Sequence, residues 1–241
     1  MIPAFMNWSS GKDASFALWT LRQQGRFDVR YLFTTLSAGY KRVSMHGVQE
    51  ALLDEQARQT GIPLKKAFLP EHASMEDYNQ VMQEQMAAMV QEGIRHAVFG
   101  DIFLEDLKQY RETQLARAGM QGVFPLWRQN SRSLLLQMIQ AGFKAIVVCA
   151  NARYLDASFA GRIINEQFLA DLPPEVDPCG ENGEFHTFVF DGPLFRAPVS
   201  FTPGDTVERV YAPSGQSDAP AGQAANWDNR FYFKELLPLA F

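Results

Sequence analysis

Residues 2–19 read IPAFMNWSSGKDASFALW, and this stretch decides how the rest of the chain is interpreted. The apolar residues 2–6 predict a short buried strand, and the apolar residues after position 15 predict a helix that begins at once. Between them lies a turn of small residues that carries Lys12 and Asp13. The first N–H groups of a helix have no partner within it, and the helix dipole adds positive charge there. The stretch therefore predicts a phosphate-binding turn.

Small polar residues supply the rest of this turn. The hydroxyl groups of Ser9, Ser10 and Ser15 can donate hydrogen bonds, and Lys12 adds a cation. Gly11 lets a phosphate approach the backbone closely. Neither the P-loop spacing nor the dinucleotide pattern G-x-G-x-x-G occurs here. The alternative interpretation is an ordinary strand-to-helix turn with a serine cap.

Composition limits the classes of function. The chain has 241 residues, of which 46% are hydrophobic and 20% charged, values typical of a globular protein with one large or two small domains. A net charge of −5 disfavours a broad nucleic-acid surface. The only cysteines, Cys149 and Cys179, suggest no disulfide framework, so we expect a cytoplasmic protein. Neither a signal peptide nor a membrane span is evident, so no membrane partner is expected.

Strand and helix patterns alternate through the first half of the chain. Strands are predicted at 29–35, 63–69 and 97–100, with a helix after each one, so residues 1–128 are expected to form an α/β domain with a mostly parallel sheet. Residues 129–241 are expected to form a smaller α+β domain packed over the phosphate turn. It would contain a helical stretch at 159–169 and a mobile connection near 212–229.

Ligands of open α/β sheets bind beyond the carboxyl ends of the strands. Thr34 and Thr35 end the second predicted strand, and Gly100 and Asp101 follow the fourth, so all four are candidate nucleotide-binding residues. His46 precedes a helix and is a further candidate, with a purely structural role as the alternative.

The two helices that flank the fourth predicted strand contribute one candidate residue. Arg111 lies on the polar face of the helix after the fourth strand, and we single it out as a substrate-binding residue. On the helix before that strand, Met82, Met86 and Met89 recur at helical spacing. They are interpreted as core residues without a ligand.

The densest polar cluster is DPCGENGEFHTF, residues 177–188. A structural turn requires glycine or asparagine, but it does not require Glu181, Glu184 and His186 together. These three are therefore candidate catalytic residues, since ionisable loops beside stiff strands often carry function. The carboxylates suit a magnesium ion, an amine, or ammonia that is being deprotonated.

Several motifs together carry a family resemblance. The turn resembles the PP-loop SGGKDS of the ATP pyrophosphatases, with Ser10 and Ala14 as departures. The chain as a whole resembles the compact members of the diphthine–ammonia ligase family, which have an adenine nucleotide alpha hydrolase-like, Rossmann-like fold. The matching motifs are WSSGKDAS (8–15), MHGV (45–48), FGDIFLEDL (99–107), YRE (110–112), FPLW (124–127) and DPCGENGEFHTFVFDGP (177–193).

The resemblance implies that ATP adenylates a substrate carboxylate, with release of pyrophosphate, and that ammonia or another amine then displaces AMP. In eukaryotic and archaeal members the carboxylate is diphthine, carried on a translation elongation factor. Asp13 and Asp101 are expected to hold Mg²⁺ or to order the loop. The GENGEFHT segment is expected to shape the acceptor site through Gly180, Asn182, Gly183 and Thr187, together with its two glutamates.

Two other interpretations remain open. The first is a PP-loop enzyme that modifies tRNA and would use paired reactive cysteines. The net negative charge of the chain disfavours it, because nucleic acids are anions. The second is a module that binds ATP or AMP without turnover, which the departure at Ala14 favours. The sequence leaves open the acceptor, the nitrogen donor and the oligomeric state, a homodimer included.

Overall fold

The computed structural model describes residues 1–39, 42–43, 46–70, 74–210 and 230–239. The strands are β1 (Ile2–Asn7), β2 (Phe27–Ser37), β3 (Leu64–Leu69), β4 (His96–Val98), β5 (Gln121–Val123), β6 (Lys144–Asn151), β7 (Phe185–Asp191), β8 (Phe201–Val210) and β9 (Arg230–Pro238). The helices are α1 (Lys12–Gln24), α2 (Glu50–Thr60), α3 (Met75–Gln91), α4 (Glu105–Arg117), α5 (Ser131–Gln140) and α6 (Glu166–Asp171). None of these helices, within the described ranges, is long and apolar enough to cross a membrane.

The first sheet is parallel and has five strands in the order β3-β2-β1-β4-β5. The predicted α/β class with a parallel sheet is confirmed. The strand order reverses beside β1, which pairs with β2 on one side and with β4 on the other. A crevice forms at such a switch point beyond the carboxyl ends of the strands. The phosphate turn follows β1 and therefore lies at this crevice.

The second sheet is antiparallel, in the order β7-β6-β9-β8. One buried cluster contains residues of both halves, among them Leu18 of α1 and Phe188 of β7. Strand β7 also contacts the phosphate turn directly, because the Val189 N–H donates to the Ser10 carbonyl over 3.0 Å. The second sheet thus forms one wall of the region around the turn. The division at residues 128 and 129 stays a prediction.

One helix ends and another begins at residues of types that favour helix termini. Gly61 ends α2 with φ of 72°, the left-handed conformation that favours glycine. Ser74 begins α3 with a complete capping box, since its hydroxyl accepts from the Asp77 N–H and the Asp77 carboxylate accepts from the Ser74 N–H.

The prediction of a helix at 159–169 is wrong for the first part of that range. The backbone there pairs with β6 instead: Ile163 forms a bridge with Ile146, and the Val147 N–H donates to the Arg162 carbonyl over 2.9 Å. The helix α6 begins only at Glu166, where the side chain of Asn165 caps it. Strand β5 was not predicted, because only one of its three residues, Val123, is of a type that favours strands.

The methionine stripe of α3 packs largely as predicted. Met86 and Met89 are buried in a second apolar cluster with Phe5 and Phe33, and Met82 packs against this cluster while remaining partly exposed. The connection predicted near 212–229 lies outside the described residues.

Candidate active site

The phosphate turn is held in place by buried hydrogen bonds from α2. Gln56 is fully buried, and its Nε2 donates to the carbonyl groups of Ser10 (3.0 Å) and Val189 (2.7 Å). Its Oε1 accepts from Trp8 Nε1 over 2.7 Å. Gln56 therefore ties β1, the turn and β7 together. Gln56 was not among the residues predicted from the sequence, although an amide on the apolar face of a helix indicates a buried hydrogen-bond partner.

Ser10 has an unusual conformation. Its φ is 69°, in the left-handed region that glycine adopts without steric cost, and it occupies the place of the first PP-loop glycine. Its Oγ is buried and has no hydrogen-bond partner among the described residues. Ser10 contributes its carbonyl to the turn, and its hydroxyl does not reach the cavity described below.

Strand β7 packs against the start of α1 and hydrogen-bonds to it. A Cβ atom at Gly11 would lie 2.9 Å from His46 Cε1 and 3.3 Å from the Thr187 carbonyl oxygen, so close packing requires glycine there. The Lys12 N–H donates to Thr187 Oγ1 over 3.0 Å. The Ser15 hydroxyl donates to the Gly11 carbonyl over 2.9 Å and is thereby engaged within the helix.

A cavity of about 500 Å³ lies at the switch point between β1 and β4. It brings together most of the candidate residues from six separate parts of the sequence. Those that line it are Ser9, Lys12, Asp13, Thr34, Thr35, His46, Gly100, Asp101, Arg111, Gly180, Glu181, Gly183, His186 and Thr187. The candidates outside its lining are Ser10, Gly11, Ser15, Asn182 and Glu184.

Lys12 joins the phosphate turn to the second polar cluster. Its side chain is 2% exposed, and Nζ donates to both Asp13 oxygens, over 2.9 and 2.7 Å, and to the Cys179 carbonyl. Burial is the largest single influence and alone would lower the pKa of Lys12, but the charge of Asp13, its hydrogen bond to Lys12 and the other acidic groups nearby together outweigh burial, so the pKa lies above its ordinary value. Lys12 therefore stays charged. Burial raises the pKa of Asp13, with Lys12 opposing the shift.

The end of β4 packs directly on the turn. A Cβ atom at Gly100 would lie 2.7 Å from the Asp13 carbonyl carbon and 2.8 Å from the Ala14 nitrogen, so only glycine permits this contact. The next residue, Asp101, has its Oδ2 2.8 Å from Arg111 Nε. The N–H is poorly aligned, however, and neither atom makes a hydrogen bond within the described chain. Burial raises the pKa of Asp101, with Arg111 opposing the shift.

The two glutamates of the second cluster have different surroundings. Glu181 lines the cavity, and its Oε1 accepts from the Ile102 N–H over 2.7 Å. Burial raises the Glu181 pKa to about 7, and the nearby charge of Asp13 adds to the shift. Glu184 is 1% exposed and accepts from the N–H groups of Asp177 (3.0 Å) and Asn182 (2.9 Å) and from Asn182 Nδ2 (3.0 Å). Glu184 therefore holds the loop in shape.

Two histidines face each other in the cavity. The ring centroids of His46 and His186 are 4.7 Å apart. His46 Nδ1 donates to the Thr187 carbonyl over 3.2 Å, which fixes the proton on that nitrogen. Burial lowers the pKa of His46 to about 4 and that of His186 to about 3, so both rings are neutral at pH 7. His186 Nε2 is buried without a partner among the described residues.

Family models match both halves of the chain. The diphthamide synthase N-terminal domain matches residues 3–122, and the diphthamide synthase C-terminal domain matches residues 130–211. The chain belongs to the diphthamide synthase family. The boundary predicted at residue 128 falls between these two ranges.

Curated relatives of this family member are named diphthine–ammonia ligase. The protein from Danio rerio is 30% identical over 153 residues, which cover 58% of this chain and 57% of the relative. The protein from Rattus norvegicus is 34% identical over 113 residues, covering 44% of this chain and 41% of the relative. The protein from Schizosaccharomyces pombe is 30% identical over 110 residues, covering 42% and 18%. The chain thus spans at most 57% of the length of these three relatives.

The carboxylates of this diphthamide synthase family member do not enclose a metal by themselves. Among the described residues, no group of three or more His, Cys, Asp or Glu side chains could hold a metal ion. Asp13 and Asp101 face one cavity, but each already pairs with a cation, Lys12 or Arg111. Mg²⁺ is usually held by one or two carboxylates together with substrate phosphates. The pair therefore suits a magnesium ion that arrives with a nucleotide.

Neither cysteine has the surroundings of a reactive thiol. Both are free and buried, and Cys179 Sγ donates to the Ser131 carbonyl over 3.3 Å. Burial raises the pKa of Cys149 to about 12 and that of Cys179 still further. Because the thiolate is the reactive form, these cysteines do not suit the sulfur chemistry of a PP-loop tRNA thiolase.

Proposed function

We propose that the chain is an AMP-forming, ATP-dependent ligase that converts a substrate carboxylate into an amide, as a diphthine–ammonia ligase does. The observation that carries this proposal is the meeting of Lys12 and Asp13 with Glu181 in one cavity at the switch point of a parallel sheet. Membership in the diphthamide synthase family supports the same reaction class.

In the first half-reaction, an oxygen of the acceptor carboxylate attacks the α-phosphorus of ATP. The bond between the α-phosphorus and its bridging oxygen breaks, and pyrophosphate leaves with the electron pair. Lys12 is charged and sits at the N-terminus of α1, so it stabilises the charge that develops on the phosphates. Ser9, Thr34 and Thr35 line the same cavity and bind the nucleotide. Asp13 and Asp101 would hold Mg²⁺ together with the nucleotide phosphates, and the ion would neutralise part of the phosphate charge.

In the second half-reaction, ammonia attacks the acyl carbon of the adenylate and AMP leaves. Ammonium must first lose a proton, and a general base works best when its pKa lies near the operating pH. Glu181 meets this condition with a pKa of about 7, and its bond to the Ile102 N–H fixes its orientation. His186 Nε2 accepts a hydrogen bond from the substrate, while Glu184 acts by positioning the loop.

The finer assignments belong to the same proposal. The relatives' name makes diphthine the first acceptor to test and ammonia the first nitrogen donor. Arg111, which lines the cavity beside Asp101, is assigned to the acceptor carboxylate. A cytoplasmic location belongs to the proposal, and the two unpaired cysteines support it. A homodimer remains the first oligomeric state to test.

The test is the identity of the nucleotide products. The chain is incubated with ATP, Mg²⁺, ammonium and a protein extract that carries candidate acceptors, and the nucleotides are separated by chromatography. AMP and pyrophosphate in equal amounts support the proposal, whereas ADP and phosphate refute it. Lys12→Ala should abolish the reaction, and Lys144→Ala, which removes an exposed lysine of β6, should not. Nucleotide binding without turnover by any acceptor would instead favour the non-catalytic module.

A further inference from the structure

The loop between β2 and α2 carries His46 to the phosphate turn. We call residues 42–49 the His46 loop, of which the structure describes residues 42, 43 and 46–49. His46 packs so closely on the turn that a Cβ atom at Gly11 would lie 2.9 Å from its Cε1, and its Nδ1 donates to the Thr187 carbonyl over 3.2 Å. The position of this loop therefore determines how one wall of the candidate active site is built.

A single carboxylate on β9 joins the two ends of the His46 loop. Glu235 Oε1 accepts one hydrogen bond from Arg42 Nη2 over 2.9 Å and another from Gln49 Nε2 over 2.6 Å. Arg42 and Gln49 also form a backbone bridge with each other. Strand β9 lies between β6 and β8 in the second sheet. The loop is thus attached to a strand that has neighbours on both sides.

Arg42 extends this contact to the tip of the loop. Its Nη1 donates to the Gly47 carbonyl over 2.6 Å, directly after His46 in the chain. Gly47 has φ of 67°, and a Cβ atom there would lie 3.1 Å from Cδ1 of Phe233 on β9. Glycine therefore lets the tip of the loop lie against the strand. A continuous set of contacts runs from Glu235 through Arg42 and Gly47 to His46.

The base and the tip of the His46 loop are held by different interactions. Val43 and Val48 are buried in the main apolar cluster, which fixes the base. The side chains of Arg42 and Glu235 are 36% and 28% exposed. Ion pairs that remain partly exposed contribute little to the stability of a whole fold. We therefore expect the loss of this pair to displace the tip of the loop rather than to unfold the chain.

Glu235 is ionised at neutral pH. Burial alone would raise the pKa of Glu235, but the hydrogen bonds from Arg42 and Gln49 and the charge of Arg42 together outweigh burial, so the pKa lies below its ordinary value. Hydrogen bonds between charged partners are shorter and stronger than those between neutral ones. A carboxylate should therefore hold the loop better than an amide of the same shape.

We propose that Glu235 is a positioning residue of the nucleotide site, and that it holds His46 against the phosphate turn through Arg42 and Gln49. This inference rests on the proposed function, which makes the turn the binding site of ATP. Glu235 lies outside the ranges 3–122 and 130–211 that the family models match. Strand β9 thus contributes to a site whose candidate residues all lie within the matched ranges.

The NMR titration of His46 tests this positioning role without any nucleotide. The full chain is labelled with ring-¹³C histidine, and the His46 signal is assigned by its absence from His46→Gln. Burial holds the pKa of His46 at about 4, so the signal of the parent chain should barely move between about pH 8 and about pH 6. In Glu235→Leu the ring should leave the turn and its pKa should rise toward the ordinary value of 6.5, so the signal should move in this range. Glu235→Gln keeps an acceptor oxygen and should show an intermediate shift.

Calorimetric titration with ATP and Mg²⁺ provides the second readout. Glu235→Leu should bind ATP on the order of ten-fold more weakly than the parent chain. Arg42→Leu breaks the same contact from the other side, so it should have a similar effect, and the double variant should lose little more. Glu208→Leu removes an exposed carboxylate of β8 and is the matched control, which should change neither readout.

Three results would each overturn the inference: an unmoved His46 signal in Glu235→Leu, an unchanged affinity of that variant for ATP, or equal effects of Glu235→Leu and Glu208→Leu. Glu235→Gln and Arg42→Leu weaken or break the same contact, so the test does not depend on the folding of one variant. The ligase proposal fails separately, through ADP and phosphate as products, so the two failures are distinguishable.

Discussion

The hydroxyl oxygen of Thr187 accepts a hydrogen bond from the backbone N–H of Lys12 over 3.0 Å. The two residues are 175 positions apart, and they belong to the edge strand of the antiparallel sheet and to the first turn of α1. No side chain of the turn itself caps α1, so β7 supplies the cap. The phosphate turn is therefore complete only when both sheets have folded.

The first prediction concerns this cap. Thr187→Val keeps the shape of the side chain and removes the oxygen, so the buried Lys12 N–H loses its partner. We expect a loss of about 1 to 2 kcal/mol in the free energy of unfolding and a raised KM for ATP. Thr187→Ser keeps the oxygen and should behave nearly as the parent chain. Urea denaturation and steady-state kinetics measure both effects, and equal behaviour of the two variants would contradict the capping role.

The second prediction concerns Gln56. Gln56→Leu removes the partner of Trp8 Nε1, the Gln56 hydrogen bond to the Val189 carbonyl and one of the two hydrogen bonds that the Ser10 carbonyl accepts. The variant should be less stable by about 2 kcal/mol or more, because each buried group left unsatisfied costs about 1 to 3 kcal/mol. Gln140→Leu, at an exposed position of α5, is the matched control and should change stability little. Unfolding of both variants at the same urea concentration would contradict a stabilising role of the Gln56 hydrogen bonds.

The third prediction is that a substitution at Ser10 increases stability. Ser10→Gly relieves the left-handed backbone conformation and removes a buried hydroxyl without a described partner. We expect the free energy of unfolding to rise by about 1 kcal/mol, since the left-handed conformation costs a non-glycine residue about 1 to 2 kcal/mol. Thermal and urea unfolding measure the change. A loss of stability would show that the serine hydroxyl has a partner that compensates for its conformation.

The fourth prediction uses the pKa of Glu181. A general base with a pKa of about 7 is active above that pH, so amide formation should fall as the pH drops through 7. Glu181→Gln should lose amide formation and still catalyse exchange of pyrophosphate into ATP, because the adenylation step does not use this base.

Stability provides a second readout for Glu181. Because burial raises the folded-state pKa of this acid, its contribution to stability is present below the unfolded pKa and is lost as the pH rises through about 7. Glu181→Gln should therefore be at least as stable as the parent chain at pH 8. An inactive variant that is also unfolded at pH 8 would assign Glu181 a structural role instead.

Local signals were enough to locate much of the candidate site. The phosphate turn and the strand ends at Thr34 and Asp101 lie in one cavity because a parallel sheet gathers its strand ends at one edge. The second cluster around Glu181 lines the same cavity because β7, the strand that follows it, packs on the turn. Gly61 and the Ser74–Asp77 pair are short-range patterns that likewise mark the end of α2 and the start of α3.

Long-range contacts account for what the sequence did not reveal. Gln56 acquires its role from Val189, 133 positions away, and the segment near Ile163 pairs with β6 although its composition suits a helix. Glu181 and Glu184 are indistinguishable in the sequence, and only the loop fold turns one toward the cavity and the other toward its own backbone.

The exchange of labelled pyrophosphate into ATP in the absence of ammonium tests the central claim most directly. If the carboxylate is adenylated in a separate first step, exchange should require the acceptor, Mg²⁺ and Lys12, and it should proceed without any nitrogen donor. Exchange that appears only when ammonium is added, or AMP formation without any exchange, would contradict a reversible acyl-adenylate and with it the roles assigned to Lys12 and Glu181.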